Sequence, residues 1–400
     1  MCAVPQGTAV AVARPRLELA DIVRAHGEAY RRTHRLTRVQ HRALRAIAAC
    51  RTAALGGHRE ACDHCGATRI TYNSCRNRHC PKCQTAAKEQ WLAARKAELL
   101  PIPYFHVVFT VPHALNALAQ GNPRVIYALL FRAAADTLLT FGRDSRHLGG
   151  TIGITAILHT WGQNLSQHLH LHCLVTGGAL APDGERWIPA RSGFLFPVRA
   201  LARVFRGKFL AALQAAYSAE QLTVAGGIAP LADPPAFATF VTALRTTDWV
   251  VYAKRPCGGP DQVLDYLGRY THRVAISNHR LVACTRDTVQ FRWKDYADRD
   301  RVKVMTLTAE EFLRRFLLHV VPARFMRIRH FGLLANRHRA TRLEHCRQLL
   351  AVPAPTPPPG TSDGARAISQ VHRCPLCHFG AWVVIEIVPR GYPPHPPDSS

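Results

Sequence analysis

Apolar positions recur at helical spacing near the N-terminus, at Leu19, Ile22 and Val23 with Tyr30 two turns further on. A second helix is expected from Thr37, where Gln40 three residues later makes a capping box, through Val39, Leu44 and Ile47. After a cysteine-rich stretch the segment TAAKEQWLAARKAELL reads as a helix, ended by Pro101 and Pro103. The pattern then turns α/β. YFHVVFTV (104–111) is β-rich and buried in pattern, and Asn122-Pro123 is a cap and first position for a helix reaching about Phe141. GTIGITAILHTW and HLHLHCLVTGG read as strands joined by the short polar link GQNLSQ, hence a hairpin. A helix follows over roughly 198–218, then a strand, DWVVYAKR (248–255), a helical DQVLDYLGRYTHR, and two β-rich stretches, VAISNHRLVAC and TVQFRWKDY. Thr308 with Glu311 caps a last helix, EEFLRRFLLHVV. The stretch at about 354–365 is a flexible or polyproline linker before a short module carrying CPLC and a Pro-rich tail.

Composition adds a partner. The chain has 400 residues, with 52 Lys+Arg against 26 Asp+Glu, a formal charge of +26. So large an excess repels itself unless a polyanion is bound, and nucleic acid is the obvious one. The basic residues are spread along the chain rather than gathered on one amphipathic helix, which argues against a membrane partner. No run approaches the roughly 20 consecutive apolar residues that span a bilayer, and the N-terminus lacks the order of a signal peptide. The expectation is a cytosolic protein, and the wealth of Ala, Arg and Pro suggests a GC-rich bacterial gene.

In such a chain, paired C-x-x-C spacing points to metal rather than disulfides. Cys62-x-x-Cys65 and Cys80-x-x-Cys83 are two knuckles fourteen residues apart, and together they are expected to make one tetrahedral site for a structural Zn²⁺. Cys75, His79, His58 and Cys50 are spare, able to displace one of the four or to support a second zinc. Arg76, Arg78 and Lys82, interleaved with the knuckles, are expected to touch DNA backbone. Cys374-x-x-Cys377 is half of another site, with His378, His372 or Cys346 as possible completions.

HLHLH places His168, His170 and His172 two residues apart, so on a strand all three imidazoles share one face while Leu169 and Leu171 face the core. Three imidazoles on one face make a divalent-metal site, and His159 on the preceding strand can supply a further ligand. The third ligand beside His170 and His172 is either His159 or His168. Downstream, Tyr266 and Tyr270 stand four apart on one helix face. Such pairs are commonly core, but Arg269, His272 and Arg273 crowd the same turns and suit a phosphate-facing surface. Lys254 and Arg255, just before this helix, are candidates for gripping flanking phosphates.

The combination resembles the HUH endonucleases, in which a histidine–hydrophobic–histidine strand holds a metal beside a helix bearing one or two tyrosines. HLHLHCLVTGG, YLGRYTHRVAISNHR, the upstream CRNRHCPKCQ finger and the downstream FLLHVVPARFMRIRHFG together look like the two-tyrosine, rolling-circle transposases of the insertion sequence ninety-one family. The resemblance covers about residues 18–345. It implies an α+β chain, with a ferredoxin-like antiparallel sheet in which YFHVVFTV and the histidine strand lie side by side. Domains are expected over 1–100 (helical, zinc-binding), 101–345 (nuclease) and 346–400 (linker and C-x-x-C module). His170 and His172 would hold Mg²⁺ or Mn²⁺ against the scissile phosphate, and Tyr266 and Tyr270 would attack it, leaving a 5′-phosphotyrosine and a free 3′-OH. The implied partner is single-stranded DNA of the element ends and the target. Two other readings compete. A non-catalytic zinc-finger DNA-binding protein leaves HLHLH and the tyrosines without a purpose, and a replication initiator or relaxase would share the chemistry. A carboxylate-triad enzyme lacks its spaced acids. The sequence sets no oligomeric state.

Overall fold

A computed structural model describes residues 17–191, 193–254, 264, 268, 275–351 and 373–391. Helices α1 (Leu19–Thr33) and α2 (Arg38–Ala49) form where periodicity places them, and Thr37 and Gln40 close the expected capping box at α2. A hairpin of β1 (Gly57–Cys62) and β2 (Thr68–Tyr72) follows, then α3 (Pro81–Lys96), which starts four residues earlier than its apolar pattern suggests because Pro81 suits a first turn. Next come β3 (Tyr104–Thr110), α4 (Asn116–Gly121), α5 (Pro123–Arg143), β4 (Gly153–Trp161) and β5 (Gln167–Thr176). A small ribbon, β6 (Gly178–Leu180) with β7 (Trp187–Pro189), precedes α6 (Val198–Ser218), α7 (Pro234–Thr246) and β8 (Val251–Lys254). The remainder is β9 (Leu281–Cys284), β10 (Thr288–Asp295), β11 (Arg301–Thr308), α8 (Ala309–Leu318), β12 (Ile328–Gly332), α9 (Arg339–Leu349) and β13 (Trp382–Val388).

The central sheet has the order β12-β4-β5-β3-β8 and is antiparallel throughout. Leaving β12 aside, the path β3–α5–β4–β5–α6–β8 is the ferredoxin-like arrangement, with β3 and β5 adjacent at the centre as expected. Alternation decides its two faces. Leu169, Leu171, Cys173 and Val175 of β5 join Phe109, Phe131, Phe205 and Phe209 in the main core, under α5 and α6. Each such side chain contributes roughly 1.5–3 kcal/mol by leaving water. Helix α5 is long and apolar enough to cross a membrane by length and composition, but most of it is buried in this core. Asn122 does not cap α5 with its side chain. Its Nδ2 donates to the carbonyls of Leu118 and Thr223, and its Oδ1 accepts from Thr223 N–H, pinning the loop after α6.

The N-terminal helices do not stand apart. Leu19, Ile22, Leu44 and Ile47 share a second buried cluster with Ile276, Phe291, Phe312 and Phe316, and Leu19 N–H donates to Asn278 Oδ1 at 3.1 Å. The C-terminal module is likewise drawn in, for β13 pairs antiparallel with β1 and makes a sheet of order β13-β1-β2. The zinc-binding region is therefore helices plus a three-stranded sheet, built from both ends of the chain.

Two histidines, His319 buried and His330 half-buried, tie these parts together. His319, just past α8, donates from Nε2 to the Leu165 carbonyl at 3.1 Å and meets Thr160 Oγ1 through Nδ1. His330 on β12 meets Thr155 Oγ1 at 3.0 Å. Burial pushes both rings down to about 4, with Arg95 and Arg339 adding to the shift at His330. In the unfolded chain each takes a proton below about pH 6.5. The unfolded state then binds more protons than the fold, so stability is full above that pH and falls as pH drops from about 6.5 to about 4, by up to ~1.4 kcal/mol per pH unit for each ring. Thermal denaturation between pH 7 and pH 5 is expected to show this slope, and a His319→Gln/His330→Gln variant to lose part of it.

Candidate active site and metal centres

The second face of the central sheet carries histidines. Antiparallel register sets His159 of β4 opposite His170 of β5, and Ile157 opposite His172. On the other side of β5, β3 places Val108 opposite His172, with His106 one step along the same face. A register shift between His159 and Trp161 bends the end of β4, as bulges beside functional sites commonly do. Ring nitrogens of His159, His170 and His172 all lie within 4.8 Å of one another. His168 shares the face but is not one of this group, although its ring lies 4.9 Å from that of His170 and 5.3 Å from that of His113. Of the two alternatives for a third ligand, the fold thus brings His159 to the pair.

The surroundings fix the rings in a useful state. His170 Nδ1 donates to the carbonyl of His168 at 2.8 Å, which leaves its Nε2 with a lone pair. A hydrogen bond of 2.8 Å joins His172 Nδ1 to His106 Nε2, and the two rings stack. Burial pushes His170 down to about 3 and His106 to about 4. It pushes His172 well below the ordinary value, and the neighbouring imidazoles add to that shift. His170 and His172 are therefore neutral near pH 7 and able to ligate. Sequence reasoning misses His106. The signal is present nonetheless, since this residue lies at an alternate position of a buried-pattern strand expected beside HLHLH.

Beyond the histidines the same face turns apolar. Ile157, Leu174 and Tyr104 join a buried cluster with Leu333, Leu343 and Leu264. Tyr266, Tyr270, Arg255, Arg269 and Arg273 lie outside the described residues. Leu264 and Gly268 of that segment are described, both helical, and a Cβ on Gly268 would lie 2.7 Å from Leu92 of α3. Lys254 is exposed at the sheet edge, opposite His106 and so on its face.

The cysteines group differently from the expectation. Cys62 and Cys65 do not share a site with Cys80 and Cys83. The first pair sits at the tip of the β1–β2 hairpin, and β2 carries the chain back by roughly 17 Å, at about 3.3 Å per residue, before Cys75. At the base, Cys75, Cys80 and Cys83 meet Cys50 at the end of α2. Neighbouring sulfurs there are 3.6 Å apart, close to the edge of about 3.8 Å that 2.3 Å Zn–S bonds impose on a tetrahedron. At the tip, Cys62 and Cys65 meet Cys374 and Cys377. His58 and His79 belong to neither quartet. His79 is buried, with Nε2 accepting from Val321 N–H and Nδ1 against Asn77 Oδ1. Cys346 is buried in the third cluster and belongs to neither quartet, and His372 lies outside the described residues.

Of the basic residues expected at DNA, Arg76 is exposed, at φ +50. Arg78 donates to the Phe325 carbonyl and Lys82 pairs with Glu18, so both have structural partners.

A mixed helix and antiparallel-sheet protein with a thiolate-rich head and a histidine-faced sheet is the class defined by these features, and comparison with known proteins places the chain within it. A family model described as "Putative transposase" matches residues 153–342, and one described as "Transposase zinc-binding domain" matches residues 22–111. The chain is 52% identical over 384 residues to "Putative transposase y4qJ" of Sinorhizobium fredii, covering 94% of this chain and 96% of the relative. It is 31% identical over 340 residues to the transposase for insertion sequence element IS801 of Pseudomonas savastanoi pv. phaseolicola, covering 82% and 79%. No solved structure matches. The chain belongs to the IS91-type family of insertion-sequence transposases, with an N-terminal zinc-binding domain.

The quartet at the base joins α2 to α3, and its four thiols suit structural zinc. Cys80→Ser/Cys83→Ser is expected to lower the unfolding free energy by several kcal/mol, a part of the roughly 10–16 kcal/mol that structural zinc supplies in finger peptides. Calorimetry of wild type and variant checks this, and chelator should lower the wild-type transition in the same direction.

Proposed function

We propose that this transposase nicks and rejoins single-stranded DNA at its element's ends and at the target, with Tyr266 and Tyr270 as nucleophiles. His159, His170 and His172 would hold Mg²⁺ or Mn²⁺. The observation that supports the reading best is the histidine face itself: three imidazoles converge there, and Leu264, two residues before Tyr266, is buried in the apolar part of that same face. The donor set fits a divalent ion, and neutral nitrogen donors favour Mn²⁺ over the oxygen-seeking Mg²⁺. A bound ion would polarise the non-bridging phosphate oxygens and offset the charge that builds at phosphorus.

The chain's own groups supply the rest. A tyrosine phenol has a pKa near 10, so attack follows loss of its proton. The phenolate oxygen forms a bond to phosphorus as the bond from phosphorus to the 3′ oxygen breaks, and the departing oxygen takes up a proton. The products are a 5′-phosphotyrosine and a free 3′-OH. One phosphoester replaces another, so the 3′-OH can reverse the step without ATP. Two tyrosines let one DNA end stay attached while a second strand is cut. His106 orients His172, and Lys254, on the same face at the sheet edge, grips the flanking phosphate together with Arg255, Arg269 and Arg273. Exposed Arg76 contacts DNA backbone from the zinc-binding head.

Incubation with single-stranded DNA of the element's end plus Mn²⁺ should give a covalent protein–DNA adduct, and Tyr266→Phe/Tyr270→Phe should give none. An adduct in undiminished yield from that variant would overturn the mechanism, while salt-sensitive binding with no adduct in any variant would indicate a binding-only protein. In Mn²⁺ titrations by calorimetry, His159→Ala should lose more affinity than His168→Ala. His106→Ala should cost about 10–100-fold, the usual effect of removing a partner that orients a ligand.

A further inference from the structure

The quartet at the hairpin tip raises a separate question, because half of it lies outside both matched regions. The zinc-binding family model ends at residue 111, and the second model ends at residue 342. We propose that Cys62, Cys65, Cys374 and Cys377 bind a second zinc ion, which clasps the C-terminal segment onto the N-terminal hairpin. This site is independent of the strand-cutting chemistry proposed above.

Geometry is the first support. Cys62 Sγ lies 3.6 Å from Cys377 Sγ, and Cys65 Sγ lies 3.8 Å from Cys374 Sγ. All four sulfurs are within 4.8 Å of one another. These spacings match a tetrahedral edge of about 3.8 Å around zinc and are far from the ~2.05 Å of a disulfide.

The two knuckles are also built alike. Gly66 N–H donates to the Cys62 carbonyl at 3.0 Å, and His378 N–H donates to the Cys374 carbonyl at 2.8 Å. Backbone also reaches one sulfur of each: Cys65 N–H points to Sγ of the first cysteine, Cys62, at 3.5 Å, and Gly380 N–H to Sγ of the second, Cys377, at 3.4 Å. The residue after each second cysteine, Gly66 or His378, takes a left-handed backbone at φ +73 or +61. Backbone N–H groups aimed at sulfur stabilise the thiolate that zinc requires. The knuckles are then locked to each other: Ala381 N–H donates to Asp63 Oδ1 at 2.8 Å, and Asp63 N–H to the Ala381 carbonyl at 3.1 Å. A Cβ on Gly380 would overlap Cys62 Sγ, so the close approach of the second knuckle requires glycine there.

What else holds this sheet is slight. On β13, Val383, Val384, Ile385 and Ile387 are 49–75% exposed, and β2 is exposed along most of its length. The Arg59–Glu386 and Arg69–Glu60 pairs are surface ion pairs, each worth about 1 kcal/mol or less. A three-stranded sheet with so little buried apolar surface needs a metal where a core is missing.

The test uses the full chain, purified under reducing conditions without chelator. Native mass spectrometry should show one zinc fewer in Cys374→Ser/Cys377→Ser than in wild type, while Cys346→Ser keeps the wild-type count. In protein reconstituted with Co²⁺, the thiolate charge-transfer absorption should fall by half in the double variant, a readout that metal on histidine does not contribute to. Hydrogen exchange gives a second measure within the wild type: as chelator removes zinc stepwise, amides of residues 382–388 should lose protection together with release of one ion. An unchanged zinc count in the double variant, iron in place of zinc, or full protection of 382–388 in zinc-free protein would overturn the proposal.

Discussion

The site depends on β5 being a strand enclosed on both sides. Its odd-numbered residues from Leu169 to Val175 go into the main core, and that burial fixes its register against β3 and β4. A slip of one residue would send Leu169 and Leu171 to the histidine side and every imidazole into hydrocarbon, at a cost of several kcal/mol for each polar group left unsatisfied. The apolar face therefore positions the polar one. The histidines need no strong interactions of their own to converge, because five strands and two long helices have already set the spacing of their Cβ atoms.

That dependence explains what is legible in the sequence. Period-two alternation in HLHLH is enough to name the face, and the apolar pattern of 104–111 indicates the strand beside it. The α6 limits and the caps at Thr37 and Thr308 are equally readable, since each depends on residues within one or two turns. The choice between His159 and His168 is not. It depends on cross-strand register and on the shift near Trp161, which no local pattern carries. The cysteines mislead for the same reason: spacing shows that Cys62 and Cys65 belong together, but their partners at 374 and 377 are more than 300 residues away. Strands β11 and β12 also escape sequence reasoning, as RVKVMTLT changes the phase of its alternation between Val304 and Met305 and IRHFG is short and half-buried throughout.

The charge has an internal use as well as an external one. With twice as many basic as acidic groups, many arginines cannot find carboxylates. Arg124 turns to the Ala323 carbonyl and Arg342 to that of Gly332, while Arg315 and Arg347 hold the Asn164 and Ala97 carbonyls besides pairing with Glu311 and Glu344. A guanidinium can satisfy a loop carbonyl and stay charged, so loops that would otherwise carry unpaired acceptors are held in place. Arg78 belongs to this set, holding the Phe325 carbonyl. Net charge thus indicates a polyanionic partner without identifying which arginines meet it.

Metal, charge and core divide the molecule between them. The sheet and its two long helices are stabilised by apolar burial, and they carry the histidines. The zinc-binding head has helices that share a core with residues 276–317, yet its outer sheet is nearly coreless. The two quartets sit differently: the one at the junction of α2 and α3 packs into the second buried cluster, whereas the other, at the far tip of the hairpin, stands where apolar burial runs out. A small sheet tied at its tip can present exposed basic and apolar side chains without needing to bury them.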